Sequence, residues 1–209
     1  MAMSGPNTKQ RILGAARTLF AEQGFPATSM RQVTALAEVN LAAVSYHFGS
    51  KEGLLRELVS ACIEPINSER IRLLDEAEAA AQGAPLKLRD LIRIFIEPAV
   101  RELSENNKDM PCVFSRLHHE PHPGVEAMMT EILAPTIARF IAASQRILPH
   151  RSAEELLIRG HFMIGAMLHL LDFKCEELMP MPGIHAATIA DYDFRLEQLV
   201  SFCTAGFDG

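Results

Sequence analysis

Apolar residues recur along this chain at intervals of three and four, and no stretch alternates polar and apolar residues convincingly over the length of a strand. That period predicts helices throughout. The first, from about Thr8 to Gln23, gathers Ile12, Leu13, Ala16, Leu19 and Phe20 on one stripe. Gly24 is placed to end it, with Phe25 folding back onto Phe20. Ser29 and Gln32 have capping-box spacing, so a second helix opens there and presents Met30, Val33, Leu36 and Ala37 inward. Asn40 is a competent cap for a third helix, Leu41–Phe48. Gly49 stops that helix and Ser50 caps the next.

From Lys51 a long helix runs toward Ala81, with Pro65 inside it as a kink point, and Gly83-Ala84-Pro85 is the clearest break in the chain. Further helices are expected from Leu86 to about Asn106, around Val113–His119, and over Val125–Leu148. Ser152 and Glu155 form a second capping box, opening a helix to about Met179. Beyond Pro180, Pro182 and Gly183 a last helix covers Asp191 to roughly Ala205. The expectation is an all-α chain of about nine helices without an internal repeat. An N-terminal three-helix unit over 1–55 precedes a helical body over 56–209.

Composition adds bounds. At 209 residues, 48% hydrophobic and 22% charged, the chain is ordinary globular protein with enough length for a sizeable core. Its net charge of −6 first argues against a nucleic-acid partner, but the charge is unevenly spread. Residues 1–60 hold six Lys/Arg against four Glu, a net +2, which leaves −8 on the remainder. A mildly basic head would turn toward phosphates. Four separated cysteines, Cys62, Cys112, Cys175 and Cys203, have neither zinc-finger nor disulfide-framework spacing and read as reduced thiols. The longest nearly apolar run, Phe162–Phe173, is interrupted by His169 and spans about 12 residues, well short of the roughly 20 that cross a bilayer. No leader peptide is recognisable ahead of the first helix. A cytoplasmic location without membrane contact follows as the expectation, and nothing calls for a cofactor.

The chemistry concentrates in residues 24–55. Two short helices with a tight junction, followed by a glycine turn, lay out a helix-turn-helix. A helix that enters the DNA major groove needs small or polar residues on one side and an anchoring apolar side. With Val44 and Phe48 turned inward beside Val33 and Leu36, the positions left for DNA are Leu41, Ala42, Ala43, Ser45 and Tyr46. Alanine methyls suit thymine methyls, Ser45 suits a base edge or phosphate, and Tyr46 and His47 suit phosphate oxygens. Thr28, Ser29 and Arg31 at the second helix start, Asn40 at the third, and Ser50 with Lys51 at the fourth complete the candidate contact set.

Three motifs make this more specific: Thr-Ser-x-Arg-x-Val (28–33), Ala-x-Val-Asn (37–40) and Val-x-Tyr-His-Phe-Gly-Ser-Lys-Glu-x-Leu (44–54). They closely resemble the N-terminal domain of the TetR family of bacterial transcriptional repressors, over roughly residues 8–60. The family usually has glycine where Glu38 stands, and often an aromatic where Ser45 stands. Glu38 therefore puts the junction geometry in doubt, and Ser45 blocks any transfer of base contacts. The resemblance implies that the body binds an effector and forms a homodimer through its two C-terminal helices. A two-fold dimer is also what a palindromic operator on double-stranded DNA requires. Arg159-Gly-His-Phe-Met-Ile-Gly-Ala, with Val-Asn-Leu-Ala-Ala-Val earlier, looks like the PsrA-type subgroup, whose members respond to long-chain fatty acids.

The body agrees with that outline from its residues alone. Phe162–Phe173 is apolar almost all round, so it must bury two faces, and Gly160, Gly165 and Ala166 permit close helix approach. Ten methionines and eleven phenylalanines fit an adaptable apolar pocket for a small hydrophobic effector, although plain core uses the same residues. Phe114, Leu117, Met128, Phe162, Met163 and Met167 are the candidate lining. His118-His119-Glu120-Pro121-His122 offers metal-competent side chains, but adjacent histidines in a loop are not a preorganised site, so no metal is expected. Two other readings remain open. One is a DNA-binding regulator answering to a protein or to no small ligand. The other is a helical carrier or enzyme, against which no nucleophile–base pair, phosphate loop or metalloprotease motif appears.

Overall fold

A computed structural model describes residues 8–119, 122–172, 183 and 185–209, and among them every regular element is helical. There are ten such helices: α1 (Thr8–Gln23), α2 (Met30–Ala37), α3 (Leu41–Phe48), α4 (Lys51–Ala80), α5 (Leu88–Glu105), α6 (Met110–His119), α7 (Pro123–Ile147), α8 (Ala153–Asp172), α9 (Ala186–Ala190) and α10 (Tyr192–Asp208). The short α9 is the element that the periodicity did not announce, since five residues are too few to display a helical period. The expected continuation of α8 to Met179, with Phe173, Cys175, Pro180 and Pro182, falls outside the described residues. So do the N-terminal arm through Asn7 and the pair Glu120-Pro121.

The chain divides into two compact units that do not follow chain order. The first comprises residues up to Pro65 together with Asn107–Leu133, and the second Ile66–Asn106 with Ala134–Gly209. Helices α4 and α7 therefore each contribute to both.

In the first unit the predicted caps are present. Gly24 takes a positive φ of 83° and closes α1, and the Phe20 and Phe25 rings meet at 5.5 Å. Ser29 and Gln32 form the full capping box. The Asn40 side chain accepts from the Ala43 amide at 2.8 Å, and Ser50 Oγ from that of Gly53 at 3.0 Å. The core collects Ile12, Ala16, Phe20, Phe25, Val33, Ala37, Val44, Phe48, Leu54 and Leu55. Leu36 departs from expectation and stands 52% exposed. It lies about 60° around the helix from Val33, on the side away from Ala37, so burying the Val33–Ala37 side turns it out. From the returning segment, α6 packs on α1, where the Arg116 guanidinium donates to the carbonyls of Ala21 and Glu22 at 2.9 and 3.0 Å. That fork satisfies orphan carbonyls at the end of α1.

In the second unit α10 packs on α5 and α8. Leu196, Leu199, Val200, Cys203 and Phe207 face inward, the Phe140 and Phe95 rings meet at a tilt of 57° with centres 4.4 Å apart, and Phe207 meets Phe140 edge-on at 5.6 Å. Arg89 and Arg93 both pair with Glu197 and so tie α5 to α10. Burial pushes the Cys203 thiol up to about 11, which suits an inert core thiol.

Candidate nucleic-acid interface

The helix-turn-helix rests on three local devices. The first is α3 itself, where Val44 is fully buried and Phe48 nearly so, one turn apart. These two anchor the helix on α2 and α1 and leave the other side open. Leu41, Ala42, Ser45, Tyr46 and His47 are exposed there, while Ala43 is half-buried. Tyr46 is 86% exposed, and its ring meets that of His47 edge-on at 5.2 Å. A tyrosine held almost wholly in water, on a helix that also exposes Leu41, is unusual for a large apolar side chain. This exposed face carries no Arg, Lys, Gln or Glu, and Ser45 is its small polar residue.

The second device is the junction between α2 and α3. Glu38 adopts the left-handed conformation, φ 51° and ψ 49°, and its amide returns to Ala35 and Thr34. The geometry that glycine ordinarily supplies is thus kept by a residue for which it is strained. Arg11 braces it from α1, its Nη2 donating to the Glu38 carbonyl at 3.0 Å and to the carboxylate at 3.3 Å. Periodicity did not flag Arg11, because its partner lies 27 residues away.

The third device fixes the loop between α1 and α2. Lys51 Nζ donates to the carbonyls of Phe25, Pro26 and Thr28 at 2.8, 3.4 and 3.0 Å, and lies 4.3 Å from the centre of the Phe25 ring. An ammonium has three protons, and three carbonyls take them. Lys51, expected at a DNA phosphate, is instead committed to the fold. Thr28 needs the same correction. It is 2% exposed, with its hydroxyl donating to the Gly24 and Leu19 carbonyls at 2.7 and 3.3 Å. Phe25 also meets His122 edge-on at 5.4 Å, so the returning segment packs on this loop too.

Among the remaining candidates, Ser29, Arg31 and Asn40 are exposed. The α2 N-terminus carries no acid in its first turn and adds Arg31, so its dipole and charge favour an anion together. At the α4 N-terminus an anion is already present. The Glu52 carboxyl is held below its ordinary range by its own backbone amide, then by the Ser50 hydroxyl. A phosphate is favoured at the first terminus over the second.

The six proposed pocket residues are not gathered in one unit. Phe114, Leu117 and Met128 belong to the first, with Phe114 and Met128 buried. Met163 and Met167 are buried on the inner side of α8 in the second, whereas Phe162 is 66% exposed on its outer side. Phe162 is therefore a surface residue of this chain. His118 and His119 lie on α6 and not in a loop, with His119 Nδ1 2.7 Å from the Ser115 carbonyl oxygen. Among the described residues no group of three metal-competent side chains converges, and no helix is long and apolar enough to cross a membrane.

Two family models match the chain. Residues 12–58 match bacterial regulatory proteins of the tetR family, and residues 93–206 match the tetracyclin repressor-like C-terminal domain. The HTH-type transcriptional dual regulator CecR of Shigella flexneri is 26% identical over 175 residues, covering 80% of this chain and 77% of that protein. The probable HTH-type transcriptional regulator YttP of Bacillus subtilis is 43% identical over 58 residues, an alignment spanning only 28% of either chain. Among solved structures, the regulator PfmR from Thermus thermophilus superposes with a TM-score of 0.60 at 18% identity, over 95% of this chain and 98% of that one. A regulator from Rhodococcus gives 0.57 at 20% identity, over 99% and 100%.

Proposed function

Because the chain belongs to the TetR family of bacterial regulatory proteins, we propose that this helix-turn-helix transcriptional regulator binds a palindromic operator as a homodimer and is released by a small hydrophobic effector. The observation that carries the DNA reading is the exposed face of α3, Leu41, Ala42, Ser45, Tyr46 and His47, presented by the buried pair Val44 and Phe48. Ser29, Arg31 and Asn40 extend it toward the backbone, and half-buried Ala43 lies at its edge. Repression is the first reading of the outcome. A second is activation at some promoters, which the description of CecR as a dual regulator favours.

Homodimerisation is supported by apolar side chains left on the outer sides of the two C-terminal helices. Leu157 and Ile158 are each 51% exposed on α8, joined there by Phe162, and Phe202 is 72% exposed on α10. Large apolar residues grouped this way mark an interface. Gly165 lies on the same outer side of α8, with open space where a Cβ would stand, and so allows close approach of a second copy. Paired readers would then occupy successive major grooves about one turn apart. The effector would favour the conformer whose readers are misplaced, drawing the population away from the DNA-competent state. The division of labour, DNA reading in 1–55 and effector binding with dimerisation in 56–209, belongs to this proposal, as do a fatty acid or acyl effector of the PsrA-type kind and a cytoplasmic location.

The test is fluorescence anisotropy of the full chain on DNA from its own promoter and the neighbouring intergenic regions. Salt-sensitive, saturable binding is expected. Absence of binding to all of them refutes the reading. Sedimentation equilibrium should give a dimer that Phe162→Glu combined with Phe202→Glu converts to monomer, with loss of operator affinity.

A further inference from the structure

The buried stripe of α8 fixes which of its residues point outward. Leu156, Met163 and Met167 are buried, and at about 100° per residue Gly165 stands opposite them. From Leu157 to His169 the exposed residues are Leu157, Ile158, His161, Phe162, Gly165 and His169. The two histidines lie four residues before and four after the glycine, about 40° to either side of it and about 6 Å away along the axis. They are the polar members of a face that is otherwise apolar and that has open space where a Cβ on Gly165 would stand.

When a second copy covers this face, two-fold symmetry decides what the histidines meet. Helices running parallel set each residue level with its own counterpart, so histidine faces histidine. Antiparallel helices crossing at Gly165, where the approach is closest, set His161 level with the partner's His169, because each lies four residues from the crossing. Both arrangements bring imidazole to imidazole, four to a dimer, in an apolar contact. The stretch from Leu157 to His169 contains no Asp or Glu to stabilise an imidazolium. On α8 the nearest acids are Glu154, two turns before His161, and Asp172, three positions after His169. Arg159 of α8 is held by the Gly206 and Gly209 carbonyls. Charges on the helices packed against α8 are engaged elsewhere. Arg195 of α10 donates to the Leu170 carbonyl, Glu197 takes Arg89 and Arg93, Glu97 takes Arg93 and Arg101, and Arg139 and Arg146 of α7 take Asp75 and Glu78. Asp193 and Asp208 are exposed toward the two ends of α10.

We infer that His161 and His169 make the homodimer proton-sensitive: the interface closes over neutral imidazoles and opens when they take up protons. The inference rests on the homodimer reading above and adds to it a condition under which that dimer forms. A neutral imidazole offers one N–H donor and one acceptor, so two rings at the same level can share a hydrogen bond. An imidazolium in the same place loses its hydration, and a second one beside it repels it. Protons therefore bind more readily to the separated chains. An imidazole in water takes its proton near pH 6.5, so association is complete above that range and weakens as pH falls through it.

The experiment is sedimentation equilibrium of the full chain across pH 7.5 to 5.5, with far-UV circular dichroism reading the fold at each step. The dimer dissociation constant should rise about ten-fold or more over that range. A protein carrying both His161→Gln and His169→Gln should dimerise at pH 7.5 and lose most of the rise. One carrying His161→Lys and His169→Lys, charged throughout, should already be weakened at pH 7.5. A constant that ignores pH, a dimer that tightens in acid, or a rise that survives the double Gln substitution overturns the inference and leaves the homodimer standing. A chain that is monomeric at every pH overturns both. Should the fold be lost below pH 6, the interval from pH 7.5 to pH 6 decides, since a constant unchanged across it already refutes the coupling. Should the double Gln protein fail to fold, each single Gln substitution is expected to remove part of the rise, and a full rise in both refutes it.

Discussion

Replacing Lys51 by methionine separates two roles that the sequence alone could not tell apart. The methylene stem is largely preserved and the ammonium is removed. Three donations end, two of them short at 2.8 and 3.0 Å, together with a cation–π interaction at 4.3 Å. Hydrogen bonds from charged donors contribute roughly 1.5–3 kcal/mol each, and a partly exposed cation–π interaction about 0.5–1. The third bond at 3.4 Å is weak, and water reaches part of the half-buried site, so the net destabilisation is put at about 3 kcal/mol. For a chain of this length that lowers the thermal midpoint by roughly 6–12 °C. Differential scanning calorimetry reads the midpoint. Anisotropy at a temperature where both proteins are folded reads operator affinity against salt concentration. Because the Lys51 ammonium is committed to carbonyls and neutralises no phosphate, the slope of log K against log salt should match that of the unaltered protein. Arg31→Ala should shrink the slope by about 0.9 for each operator phosphate it leaves without a guanidinium, with the midpoint nearly unchanged. A Lys51→Met protein with an unchanged midpoint and a reduced slope would overturn the tether and return Lys51 to the phosphate backbone.

Glu38→Gly should stabilise the protein by roughly 0.5–1 kcal/mol, since relief of the left-handed strain outweighs an exposed ion pair and the Arg11 bond to the carbonyl remains; chemical denaturation reads it. With Leu41, Ala42 and half-buried Ala43 as the apolar readers, replacing operator thymines by deoxyuridine should weaken binding several-fold in competition assays, and indifference to the methyl would remove that mode of reading. Acid should loosen the α5–α10 link. The Glu197 carboxyl is held below its usual range by Arg93 first and Arg89 next, so its contribution is complete above the unfolded value of about 4.5 and fades as pH falls through the folded value. A Glu197→Gln protein should lose less stability than the unaltered one between pH 5 and pH 3, to the extent that this carboxylate sets the slope, as melts across that range would show.

The helix-turn-helix was legible because its information is local. A cap and the amide it accepts are three residues apart, glycine marks a turn by its own backbone freedom, and a helical face repeats every three to four residues. Ser29, Asn40, Gly49 and the outward side of α3 could all be read on that scale. Leu36 shows where the scale ends. An apolar residue at the edge of a stripe is buried or bare depending on how wide a neighbour covers it, which eight residues of α2 do not record.

By itself, then, the chain determined its longer helices, the caps of the helix-turn-helix, that unit's layout and the small, mostly uncharged outward face of α3, each set by residues within about one helical turn of one another. Tertiary structure alone decided what long-range partners do with the same side chains. It turned Lys51 and Thr28 inward and enlisted Arg11 to hold a strained Glu38. It returned residues 107–133 to the N-terminal unit, with Arg116 closing α1 from 94 and 95 positions away. It also gave Arg70 the Phe95 carbonyl and Asn67 Oδ1 as partners, while nearby Arg72 took Glu69 and Glu76. The physical reason is common to all of these. A charge or hydroxyl is directed by the acceptors that folding brings to it, and those acceptors, backbone carbonyls above all, have no signature in the sequence.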